Sequence, residues 1–83
     1  MSNEETEIRT PSLEELKVLE WAAIRTRRNQ LLTGTDYTQA PDSPLTEAQR
    51  AEVATYRQDL RDVPESGPDP FGIVWPVRPD FLQ

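Results

Sequence analysis

The sequence predicts a mainly α-helical chain: a small two-helix hairpin with a long ordered loop, closed by an extended proline- and tryptophan-bearing C-terminal segment packed on the helices. Three observations carry that prediction. Two stretches each begin with a capping box, Ser12 with Glu15 and Thr46 with Gln49, and then repeat apolar residues at three- and four-residue spacing. Between them, residues 33–45 are rich in glycine, aspartate, threonine and proline. After them, prolines at 64, 68, 70, 76 and 79 exclude a continued helix and demote any strand to an edge.

The first helix is expected from Ser12 to about Leu32, with Thr33 and Gly34 stopping it. On a helical wheel Trp21, Ile24, Leu31 and Leu32 share one side with Arg28, whereas Leu16, Leu19 and Ala23 gather on another. The C-terminal stripe is expected to pack on the second helix. The leucines at 13, 16 and 19 are left as a surface for a second copy or another protein, since leucines at this spacing suit helix-to-helix packing. The connecting stretch from Thr33 to Leu45 reads as irregular but anchored by Tyr37 and Leu45. A loop of that length in so small a chain is a functional candidate.

The second helix is expected over Glu47–Asp62, with Val53, Tyr56, Leu60 and Val63 as its buried stripe and Pro64 ending it. Beyond it, Gly72–Trp75 reads as an extended piece laid across the helical pair, and 80–83 as a tail presenting Phe81 and Leu82. Residues 1–11 hold three glutamates without periodicity, the composition of a frayed terminus. One domain over 12–79 follows.

Composition narrows the function classes. At 83 residues the chain buries only ~60% of the surface its unfolded form exposes, so its core must be thin. A net charge of −6 disfavours nucleic acid. No stretch approaches the roughly 20 apolar residues needed to cross a bilayer, and the acidic start lacks the pattern of a secretory signal. Cysteine and histidine are both absent, no glycine-rich phosphate loop is present, and the spacing of Asp36 and Asp42 fits no metal loop. The expectation is therefore a binding protein, not an enzyme, with no cofactor, acting in the cytoplasm.

Arginines supply the sharpest polar feature. Arg50, Arg57 and Arg61 lie on one side of the second helix, beside the apolar stripe. Planar guanidiniums there suit two roles: gripping carboxylates of a partner, or tying the loop to the helix through Asp36 or Asp42. Arg25, Arg27 and Arg28 cluster near the end of the first helix, where cations complement its dipole. Trp75 is expected in the core.

These residues also form a recognisable string. Arg28, Asn29, Leu31 and Leu32 precede Thr35-Asp36-Tyr37-Thr38; then follow Asp42, Pro44 and Leu45, the run Tyr56-Arg57-Gln58 with Leu60-Arg61-Asp62, Pro64, and finally Val74-Trp75-Pro76. The string covers about half of the chain and resembles the phage tail assembly chaperone domain of tail fibre assembly proteins. That resemblance implies a helper in virion assembly, in the host cytoplasm, whose partner is a tail fibre or other tail protein. The alternative it leaves is a small tail, baseplate or fibre-collar component retained in the virion.

Overall fold

The computed structural model describes residues 9–82 and is mainly helical, with two α-helices and no strand among the described residues. Helix α1 spans Leu13–Gly34 and α2 spans Glu47–Asp62. Both start where local hydrogen bonding dictates. The Glu15 amide donates to Ser12 Oγ at 3.1 Å while the Ser12 amide donates to the Glu15 carboxylate at 2.8 Å; Thr46 and Gln49 repeat the exchange at 3.1 and 2.9 Å. Each box satisfies donors that a helix N-terminus otherwise leaves open.

Helix α1 continues two residues past the expected stop. Thr35 then caps it, its amide and hydroxyl both donating to the Leu32 carbonyl, at 3.1 and 3.0 Å. The loop is less irregular than its composition suggests. Asp36–Gln39 forms a 3-10 turn, built on the Thr38 amide and hydroxyl donating to the Thr35 carbonyl at 3.0 and 2.6 Å. Likewise the prolines after α2 exclude an α-helix but not shorter turns. Val63–Glu65 and Pro70–Gly72 are single 3-10 turns with proline in their opening positions, where a missing amide costs nothing.

The core is small: Ile24 from α1, Val53, Tyr56 and Leu60 from α2, and Val63 just beyond it. It sits where the helices overlap, and the overlap is staggered. Arg57, in the third turn of α2, reaches the last carbonyls of α1, so the first half of α2 runs beyond that end and is covered by the loop. The turns Val63–Glu65 and Pro70–Gly72 take over as neighbours of α1. Among the described residues no other helix or turn covers its first two turns, where Leu13, Leu16, Val18 and Leu19 stand 59, 41, 69 and 63% exposed.

Of the segment expected to be frayed, residues 1–8 lie outside the described residues. Arg9 is described and pairs with Glu15 at 3.0 Å. The C-terminal tail differs from expectation. Phe81 and Leu82 are half-buried rather than exposed, because the Leu82 amide donates to the Pro79 carbonyl at 3.2 Å and turns the chain back.

Candidate functional site

Among the described residues Arg57 is the most deeply placed charged side chain, 9% exposed. Its Nη1 donates to the Leu32 carbonyl at 2.9 Å and to Thr35 Oγ1 at 2.7 Å, and its Nη2 to Asp36 at 3.0 Å. One planar group thus closes the C-terminus of α1, the start of the loop and the middle of α2. Its Nε is buried without a partner. The three arginines of α2 have separate surroundings: Arg50 donates to the Ser43 carbonyl at 2.6 Å, holding the far end of the loop, and Arg61 donates to Gln58 at 3.2 Å on the surface.

The remaining residues of the recognised string are dispersed around this tie. Arg28 is half-buried and its Nε donates to Asn29 Oδ1 at 3.1 Å, an amide oxygen meeting its need for an acceptor. Tyr37 is 50% exposed on the 3-10 turn. Asp42 is exposed in the turn closed by the Ser43 amide on the Ala40 carbonyl. Tyr56 and Leu60 are core.

Trp75 is only half-buried, a correction to its expected core position. The Arg27 guanidinium lies 5.0 Å from its ring centroid, and the ring also borders a cleft of about 390 Å³ lined by Asp59 and Asp62 of α2 and by Val63. The ring therefore wedges between the two helices with one face given to a cation. Pro76 and Tyr56 both line a second cleft of about 300 Å³.

The extended segment carries a pattern that the sequence analysis missed. Ile73 has φ −68° and ψ 133°, close to polyproline II values, a helix of three residues per turn. Burial follows that period. Pro70, Ile73, Pro76 and Pro79 face the body, buried or half-buried, whereas Phe71, Val74 and Val77 are 55, 84 and 90% exposed. Prolines at 70, 76 and 79, separated by multiples of three, were the available signal. Val18 was also missed, because it falls off the leucine stripe.

At the other end, Arg9, Pro11, Glu15, Val18 and Leu19 line an open groove of about 370 Å³. The Arg9 guanidinium and the Ser12 amide hold the Glu15 carboxyl below the usual carboxylate range. Among the described residues no cluster of acidic, histidine or cysteine side chains is arranged to hold a metal ion, and no helix is long and apolar enough to cross a membrane.

The molecule is thus a small, mainly α-helical hairpin with apolar side chains displayed at both ends and polar ties inside. The comparisons agree with that class. Residues 21–80 match the family model for phage tail assembly chaperone protein, and the chain belongs to this family, whose role lies in tail assembly. No curated protein and no solved structure matches it significantly.

Proposed function

We propose that this chain binds a tail fibre protein, or another tail protein, during assembly in the host cytoplasm, and that the partner's apolar surface lies against Phe71, Val74 and Val77. The exposure of that stripe carries the reading. In a chain with few large apolar residues, three in a row at period three are turned away from the body. The stripe lies within the residues matched by the family, whereas Leu13, Leu16 and Leu19 precede them. A segment held to the body through Pro70, Ile73, Pro76 and Pro79 presents these side chains with little further loss of conformational entropy on binding. An unfinished fibre exposes apolar surface and strand edges, which such a stripe shields from aggregation. No chemical step enters this role.

The test is co-expression with the tail fibre protein encoded by the same phage. The unaltered chain is expected to raise the soluble yield of that protein and to co-purify with it. Val74→Asp with Val77→Asp, at two exposed positions, should keep the circular dichroism and melting of the parent and lose both effects. Equal rescue by the double variant would show that the stripe is not the contact. Recovery of the chain in stoichiometric amount from purified particles would instead favour a retained structural component.

A further inference from the structure

The extended segment and α2 border a groove whose two walls differ in chemistry. The two clefts beside that segment share Asp59, Pro76 and Val77. One wall is apolar, formed by Val74, Trp75, Pro76 and Val77, whereas α2 contributes the exposed carboxylates of Glu52, Asp59 and Asp62. No lysine or arginine lines either cleft. Helix geometry sorts the charges of α2, because Glu52, Asp59 and Asp62 fall on the groove side and Arg50, Arg57 and Arg61 on the opposite one. Those arginines are occupied there by Ser43, the end of α1 and Gln58. Arg27 is engaged over the Trp75 ring, and among the described residues no cation pairs with any of the three carboxylates. Asp62 accepts only from the neutral Gln58 side chain, at 3.1 Å. Asp59 and Asp62 are also poorly placed for stability: they lie in the last turn of α2, where the helix dipole disfavours negative charge.

We infer that this groove takes a basic, extended stretch of the tail protein, with lysine or arginine side chains on the carboxylate wall and apolar ones against Val74 and Val77. The inference rests on the tail-protein contact proposed above and specifies the chemistry of the partner. From Glu52 to Asp62 the helix rises ~15 Å, the reach of about four or five extended residues. In such a stretch successive side chains point to opposite faces, so alternating basic and apolar residues meet the two walls at once. A cation placed there forms charge-assisted hydrogen bonds with carboxylates that have no cation of their own. A wall of one sign also speeds the encounter with a partner of the other. The chain itself supplies no such occupant. Residues 1–8 hold three glutamates and no lysine or arginine, and two copies at −6 each repel one another.

The probe is a short peptide alternating valine and lysine, titrated into the whole chain and followed by NMR, with a valine and glutamate peptide as its counterpart. The lysine peptide should shift the amide signals of Glu52, Asp59, Asp62 and Val77, and the glutamate peptide should not. Glu52→Gln, Asp59→Asn and Asp62→Asn together should weaken lysine-peptide binding about tenfold and flatten its salt dependence. The same triple variant should melt no lower than the parent, since the last turn of α2 loses its opposed charges. Asp59→Asn alone, at an exposed position lining both clefts, should show part of the loss even if the triple variant fails to fold. Capture of the tail fibre protein of the same phage separates the two readings. Loss of capture by Val74→Ser with Val77→Ser, which removes apolar contact without adding charge, alongside full capture by the triple variant would leave the tail-protein contact standing and overturn the basic partner. If the unaltered chain captures no tail protein, the tail-protein reading fails and the lysine peptide still decides the chemistry of the groove. Peptide shifts confined to other surfaces, or equal peptide binding by the triple variant, would overturn the inference. A dimer in sedimentation that the triple variant breaks would also do so, by giving the groove to a second copy.

Discussion

Arg57 donates to Thr35 Oγ1 at 2.7 Å, joining a residue in the third turn of α2 to the cap residue of α1 across 22 positions of sequence. The contact organises the molecule because Thr35 itself closes α1, and the neighbouring Nη2 holds Asp36 at the start of the 3-10 turn. Loop, helix end and helix middle are made one unit by a single guanidinium.

Removal of that group should therefore be costly. Arg57→Ala is expected to destabilise the fold by about 3 kcal/mol, at the low end for breaking a buried charged network, measured by urea denaturation. Arg57→Lys should recover less than half, because an ammonium point charge cannot span three acceptors. Asp36→Asn should cost under about 1 kcal/mol, since the Asp36 side chain is 62% exposed and water screens the pair. Equal losses for Arg57→Ala and Asp36→Asn would mean that the ion pair, rather than the bonds to Leu32 and Thr35, holds the loop.

Trp75 should contribute less than a fully buried tryptophan. Trp75→Ala is expected to cost about 2 kcal/mol, below the ~3–5 kcal/mol of a core site, because one ring face already meets Arg27 and not apolar packing. Arg27→Gln should remove about 0.5–1 kcal/mol of this through the lost cation–π contact, and nothing further in the Trp75→Ala background. A double-mutant cycle followed by thermal melting checks both values.

Acid should loosen the start of α1 before it affects the core. The Glu15 carboxyl is held below its ordinary range by Arg9 and Ser12, so its stabilising effect is present above the unfolded-state value and is lost as pH falls through the folded one. Protection factors at the amides of residues 15 and 16, corrected for the intrinsic slowing of exchange in acid, should fall as pH drops below the ordinary carboxylate range, in advance of those around Leu60. Glu15→Gln keeps a capping side chain at this position but removes the charge, and should flatten that dependence. An unchanged profile in the variant would assign the loosening to another carboxylate.

Leu60 and Val18 provide a contrast in burial. Leu60 is fully buried and Leu60→Ala should cost about 2–5 kcal/mol, a large share of the stability of so small a domain. Val18→Ala, at a side chain 69% exposed, should change the melting temperature little.

Both helices, their starting residues and the buried stripe of α2 were legible in the sequence, because each depends on partners three or four residues away. Ser12 finds Glu15 and Thr46 finds Gln49 whatever the rest of the chain does, and Val53, Tyr56 and Leu60 fall on one face by helix geometry alone. The string from Arg28 to Pro76 likewise pointed to the family. Which arginine would be committed was not legible. Arg50, Arg57 and Arg61 share one side of α2, and only the stagger of the helices brings Arg57, and neither of the others, level with the open carbonyls of α1. Trp75 lost part of its burial for a similar reason: the path of the chain after Pro64 set the ring beside Arg27, a contact between positions 48 apart in sequence. The outward stripe of Phe71, Val74 and Val77 was decided last of all, since a three-residue period has a buried and an exposed side only once the prolines have a body to lie against.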